Sequence, residues 1–206
     1  GGNVVVSLDP ATGATEFFLD TSIVSGGTLP MNAVAVADDG AVYVANLTIN
    51  ATNLPYQIYR WPSDDPGAVP AIVFSGDPGG TNYPGLRWGD NLAVRGAGAN
   101  TEILISPGGG PDLDPSAAGF GSNIVTLLRT PDGVDFQNGI PPTVIQITNA
   151  ESGFAALGLA FGPGTNIFFA KNHNFPLTLG ELDLASQTGF LKQSYSLSAL
   201  PGLITI

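Results

Sequence analysis

His173 is the only histidine in this chain of 206 residues, and its ordinary pKa makes it the natural candidate for proton transfer near neutral pH. It stands in Lys171-Asn-His-Asn-Phe175, directly after a predicted hairpin. With one histidine and no cysteine, a His-rich or Cys-ligated zinc site is excluded. A Ser–His–Asp triad would have this single base, and nothing pairs to it in sequence. No His-Glu-x-x-His, Gly-x-Ser-x-Gly, Ser-x-x-Lys or Walker pattern occurs. His173 therefore reads either as a general base or, more plainly, as a loop histidine bonded to backbone. Asp112 and Asp114, in Pro-Asp-Leu-Asp-Pro, offer hard oxygens suited to Ca²⁺. The EF-hand spacing fails, because the sixth position from Asp112 is Ala117 rather than Gly and the twelfth is Asn123 rather than Glu. The expectation is no cofactor, with Ca²⁺ or another divalent cation as the alternative. Asp38-Asp39 and Asp64-Asp65 sit where turns favour Asp in any case.

Two Arg-Trp dipeptides, Arg60-Trp61 and Arg87-Trp88, carry the other recognisable chemistry. An exposed indole stacks on a sugar ring, which makes Trp61 and Trp88 candidate glycan contacts. The structural alternative has each Trp filling wedge space between sheets while its Arg bonds a neighbouring carbonyl. Gly96-Ala-Gly98-Ala-Asn-Thr101 is half of a dinucleotide fingerprint, but Thr101 stands where the third Gly belongs. It also opens a strand, so the pyrophosphate would meet no helix N-terminus, and the segment reads as a hairpin turn.

The elements that must position these residues are strands. Apolar runs are short, β-branched or aromatic, and ended by Gly, Pro, Asn or Asp, with no amphipathic helix pattern. One phrase recurs: Ala33-Val-Ala-Val-Ala-Asp-Asp-Gly-Ala-Val-Tyr-Val-Ala-Asn46, then Leu157-Gly-Leu-Ala-Phe-Gly-Pro-Gly-Thr-Asn-Ile-Phe-Phe-Ala170, and more loosely Asn91 to Ile105. Each copy is strand, tight turn, strand. Such a hairpin recurring at long intervals predicts an all-β propeller of four-stranded antiparallel blades. Strands are expected at 33–37, 41–47, 56–61 and 69–74, at 91–95, 102–106, 124–129 and 143–148, and at 156–161, 166–170, 179–184 and 190–196. Strands at 3–8 and 14–19, joined by Asp9-Pro-Ala-Thr-Gly13, look like the outer half of a blade. The expected single domain thus has a partial blade over 1–29, blades over 30–84, 85–150 and 151–200, and the first strand of another over 201–206. About three and a half blades are too few for a ring, which predicts a piece of a larger propeller or a protomer completed by association.

Composition narrows the function. The net charge is −11 with only 6 Lys+Arg, and those cations are scattered singly along the chain, which excludes nucleic-acid binding and argues against docking on anionic membranes. No apolar run approaches the ~20 residues of a membrane span, so no membrane insertion is expected. Hydrophobic residues make up 43%, enough for a core. The opening Gly1-Gly-Asn-Val-Val-Val has no cationic leader pattern and begins in a strand, as though upstream residues were missing.

Val36-Ala-Asp-Asp-Gly-Ala-Val-Tyr-Val-Ala-Asn-Leu47 resembles the blade signature of YVTN- and NHL-type propellers. Together with Ile58-Tyr-Arg-Trp61 and Arg87-Trp-Gly-Asp-Asn-Leu-Ala-Val-Arg-Gly96, it resembles an uncharacterised bacterial domain family of large secreted proteins, over residues 3–170. That resemblance implies a propeller and an extracellular or cell-surface location, and supplies no chemistry. Asn46-Leu-Thr48 and Asn50-Ala-Thr52 fit the N-glycosylation sequon, which in a bacterial protein is usually silent. Lactonase-type propellers hold a divalent cation on the axis with Glu, Asn and Asp. Asn46 is the nearest equivalent here, and Asn172 substitutes only after a one-residue shift, since Lys171 occupies the aligned place. The leading expectation is a non-enzymatic extracellular binding or assembly module. Its partner would be a protein or a second copy engaged through blade edges. A metal-dependent lactonase-like hydrolase or lyase is the second reading, and a carbohydrate-binding propeller the third.

Overall fold

The computed structural model describes residues 4–24, 30–108, 124–147, 156–171, 178–183 and 188–196. It is all-β, with a single short 3-10 turn over Gly98–Asn100 among the described residues. Strands β1 (Val5–Leu8) and β2 (Thr15–Leu19) form an antiparallel hairpin. Its turn behaves as its residues dictate. The Asp9 carboxylate accepts from the Ala11 amide at 2.7 Å, and Gly13 adopts φ +71°. β3 (Met31–Val36), β4 (Val42–Asn46), β5 (Tyr56–Trp61) and β6 (Ala71–Gly76) make a four-stranded antiparallel meander in chain order. β7 (Ala93–Arg95), β8 (Glu102–Ile105), β9 (Ile124–Arg129) and β10 (Thr143–Ile147) make a second. β11 (Ala156–Phe161), β12 (Asn166–Lys171), β13 (Thr178–Asp183) and β14 (Thr188–Ser196) make a third.

The described strands lie within about two residues of their predicted bounds, as local alternation and turn chemistry allow, and the strand expected over 201–206 lies outside the described residues. Two differences have physical causes. The strand expected from residue 91 begins at Ala93, because the Asn91 side chain stands in for backbone pairing. Its amide donates to the Ser106 carbonyl at 3.0 Å and accepts from the Ser106 amide at 2.8 Å. The units over 85–150 and 151–200, expected as separate sheets, are joined by a short parallel contact in which Gln146 faces Thr188 and Ile147 faces Gly189. Both partners are outermost strands of their meanders, so each had an edge free to pair.

The sheets stack in series, and side-chain alternation decides which neighbour each residue meets. On β4, Val42 and Val44 join Leu19, Tyr59 and Trp61 in a core shared with the β1–β2 hairpin. Tyr43 and Ala45 point the other way, into a core with Ile103, Ile105, Ile124 and Phe136. The pattern repeats one sheet on: Leu104, Val125 and Leu127 pack towards Leu159, Phe161 and Ile167. All five residues of β4 are buried.

Main-chain bonds lock the stack at both strand ends. At one end, Thr48 and Trp88 exchange both amide bonds at 2.9 Å. There Gly89 takes φ +104°, and a Cβ on it would overlap the Asn46 carbonyl, so only glycine fits. At the other end, the Asp38 amide donates to the Gly96 carbonyl and the Gly96 amide returns a bond to the Asp38 carboxylate.

Candidate functional site

Each end of the strands gathers one charged cluster. At the end reached by β4 lie the 47–55 loop, the 77–92 segment and Ser106–Gly108. Arg87 and Asp90 form a bidentate ion pair there, both bonds 2.6 Å, with side chains only 15% and 14% exposed. The hydrogen bonds that Arg87 donates to Asp90 raise its pKa, outweighing the opposing effect of burial. Gly108 lies against this pair so closely that a Cβ on it would strike the Asp90 carboxylate, and its amide donates to the Arg87 carbonyl at 2.9 Å. The ion pair thus packs directly against the Gly108 backbone. Beneath it, Tyr56 and Trp88 are fully buried with ring centroids 6.3 Å apart. Neither the Tyr56 hydroxyl nor the Trp88 indole N–H has a hydrogen-bond partner. Burial pushes the Tyr56 pKa far up, so the phenol stays neutral.

At the opposite end Glu102 sits between two guanidinium groups. Arg95 donates from Nε and Nη2 at 2.9 and 2.7 Å, and Arg129 donates from Nε at 2.8 Å. Burial alone would raise the Glu102 pKa. The bonds and charges of Arg95 and Arg129 outweigh it and hold the carboxyl below its ordinary value. Arg95 also lies over the Phe161 ring at 4.3 Å and donates to the Gly164 carbonyl, tying two meanders together. An open cleft of about 270 Å³ beside this triad is lined by Asn100, Glu102, Arg129, Thr130 and Ile140.

A third feature lies along the first sheet face rather than at an end. An open groove of about 280 Å³ runs between β1, which has no partner but β2 among the described residues, and the strand β3, lined by Val4, Val6, Met31, Asn32, Val34 and Val44 among others. No charged side chain lines it.

The residues singled out in the sequence fall into three groups. Asn46 is fully buried. Its amide donates to the Pro55 carbonyl at 3.1 Å and accepts from the Gln57 amide at 2.7 Å, so it pins the loop between β4 and β5. With both polar atoms bonded inside the fold, Asn46 does not present the free oxygen that the axial-ligand alternative would need. Trp61 and Trp88 are also fully buried, in different cores. Trp61 donates to the Asp20 carbonyl at 2.8 Å. Neither ring offers a face to a sugar, which corrects the stacking role. Their arginines bond side chains instead of carbonyls: Arg87 meets Asp90, and Arg60 donates to the Tyr43 hydroxyl at 3.0 Å. Asp112, Asp114, Asn172 and His173 lie outside the described residues. Among the described residues no group of three or more His, Asp or Glu side chains converges as a metal site would need, and no helix is long and apolar enough to cross a membrane. Sequence reasoning missed the Arg87–Asp90 and Arg95–Glu102–Arg129 clusters. The first carried a readable signal in its three-residue spacing; the second joins three strands.

No protein-family model matches the chain, and no curated protein matches it. Among solved structures it is similar to a DUF4623 family protein from Bacteroides eggerthii DSM 20697, with a TM-score of 0.57 and 18% identity over 90% of this chain. The likeness is one of fold. The match takes in 41% of that protein's chain, so this chain spans less than half of its length.

Proposed function

We propose that this chain is a run of β-propeller blades from a bacterial extracellular module that binds or assembles with other polypeptides and is not an enzyme. The observation that carries the reading is the serial stack of four-stranded antiparallel meanders, the first two of which send alternate side chains into the core before and the core after them. Radial repetition of such sheets is how propellers bury inner strands on both faces. The fold likeness to part of a longer bacterial protein supports the same reading. Support for binding over catalysis comes from where the polar groups go. The Asn46, Asn91, Arg87, Arg95 and Glu102 side chains hold loops and strands to one another, while the open groove beside β1 is lined by no charged side chain.

The test is sedimentation and thermal melting of the chain across a concentration series, with and without a chelator. Reversible association insensitive to chelator is expected. A stoichiometric divalent ion, whose removal lowers the melting temperature in a chain that stays monomeric, would replace this reading with the lactonase-like one.

A further inference from the structure

Asn138-Gly139 is the only Asn-Gly pair in the chain, and it stands in the irregular segment between β9 and β10. An asparagine before glycine can close on itself, because no Cβ keeps the glycine nitrogen from the asparagine side-chain carbon. Asp39-Gly40 and Asp132-Gly133 offer the same ring closure in sequence. The fold separates the three. The Gly40 amide already donates to the Ala37 carbonyl at 3.0 Å, and the buried Gly133 amide to the Thr130 hydroxyl at 2.9 Å. The Asp132 carboxylate is held as well, accepting from Thr130, Val134 and Asp135 at 2.8–2.9 Å. By contrast, Asn138 and Gly139 are both exposed, and the Gly139 amide makes no hydrogen bond. The Asn138 side chain makes one bond, from Nδ2 to Asp135 Oδ2 at 3.1 Å. That bond matters to the segment around it. Asp135 Oδ1 accepts from the Asn138 and Gln137 amides, both at 2.8 Å, and the turn so formed lies along the outer edge of β6. There the Phe136 amide donates to the Val73 carbonyl at 3.0 Å, and the Gln137 side chain accepts from the Ser75 amide at 3.2 Å. The segment therefore caps a sheet edge.

We propose that Asn138-Gly139 is a site of spontaneous covalent modification, and that the carboxylate it forms loosens the cap on β6. The Gly139 nitrogen gives up its proton and attacks the Asn138 side-chain carbonyl carbon. A carbon–nitrogen bond forms, Nδ2 leaves as ammonia with that proton, and a succinimide ring remains. Water then opens the ring. Opening at the side-chain carbonyl gives aspartate, and opening at the main-chain carbonyl gives isoaspartate. Solvent water is the only co-reactant, and nothing is oxidised or reduced. The product adds one negative charge to a chain already at −11. It also puts a carboxylate where Nδ2 had donated to Asp135, so a hydrogen bond becomes like-charge repulsion, with Asp132 adding to it. Isoaspartate further lengthens the main chain by one carbon at the turn. Both changes act against the two bonds to β6.

The test incubates the chain at neutral pH, folded and in urea, and follows each site by peptide mapping and mass spectrometry. Aspartate and isoaspartate should accumulate at residue 138 in the folded chain at a rate within tenfold of that in urea. Isoaspartate at Asp39 and Asp132 should be slowed by folding more than tenfold. Protection of residue 138 beyond tenfold, or equal protection of all three sites, overturns the modification. The loosening is read separately, as hydrogen exchange of the Phe136 amide by NMR. Asn138→Asp should speed it at least tenfold. Asn138→Ser, which loses the bond to Asp135 without adding charge, should speed it less, and the gap between the two should close in high salt. Equal exchange in the two variants, or a gap indifferent to salt, overturns the loosening.

Discussion

β3 and β4 are adjacent strands of one sheet with nearly the same composition, Met-Asn-Ala-Val-Ala-Val against Val-Tyr-Val-Ala-Asn, yet they live in different environments. β4 is buried along its whole length, while β3 alternates between half-buried and exposed. The difference lies in what covers them. β4 has the β1–β2 hairpin on one face and the β7–β10 meander on the other. β3 is an edge strand that meets the hairpin's core only at Met31. Equivalent valines thus do different work: Val44 is structural core, and its cross-strand partner Val34 is available surface.

The sharpest way to break this comparison is to put a charge on each strand. Val44→Asp is expected to cost at least ~4 kcal/mol, because an unpaired carboxylate is forced into a packed core. Val34→Lys should change stability by no more than about 0.5 kcal/mol. Urea unfolding of the two variants reads the gap, and equal losses would show that β3 is covered in solution. Next in size is the junction at the end of β4. Gly89→Ala should cost ~2–4 kcal/mol, since its Cβ overlaps the Asn46 carbonyl at an unfavourable φ. Gly13→Ala, at φ +71° with open space around it, should cost only ~1 kcal/mol. Melting curves of the pair decide whether the close approach or the backbone angle dominates.

A smaller contrast separates the two cores flanking β4. Trp61→Phe loses the bond to the Asp20 carbonyl, whereas Trp88→Phe removes an indole N–H that has no partner. Trp61→Phe should therefore be the more destabilising by ~1 kcal/mol in denaturant titration; the reverse order would place a bound water or ligand atom on Trp88. The smallest effect concerns the far ends of β8 and β9. The folded pKa of Glu102 lies below its ordinary 4.5, so its stabilisation is full above that value and is lost as pH falls through the folded pKa. Part of the denaturation midpoint's acid-side decline should vanish in Glu102→Gln. Solvent exposure of Arg129 and Arg95 keeps that part small, and an unchanged pH profile would remove the ion-pair network from the stability account.

Strand positions were legible because their causes are local. Alternating apolar residues ended by Asp-Asp-Gly or Asp-Pro-Ala-Thr-Gly leave few options to the backbone, and the Asp9 turn forms as its residue types require. The candidate site was much less legible. Asn46 looks like a ligand in sequence because a terminal amide at a strand end is chemically ambiguous; only the positions of Pro55 and Gln57 show that both its polar atoms are consumed. The Arg-Trp dipeptides are equally silent, since burial of an indole depends on the sheet facing it. The Glu102 cluster draws on β7, β8 and β9, and no local pattern announces such a meeting.

Sequence alone determined that this chain is all-β, where its described strands run, and that its 206 residues hold only 6 Lys+Arg and no cysteine. These follow from residue type and periodicity, which act over a few bonds. Tertiary structure alone decided which polar residues are fastened into loops, which tryptophans are lost to solvent, and which valines remain bare. Each of those outcomes depends on a surface brought from another part of the chain. The β3 edge is the clearest case: Val34 and Val36 stay bare because a two-stranded hairpin covers only part of a four-stranded sheet.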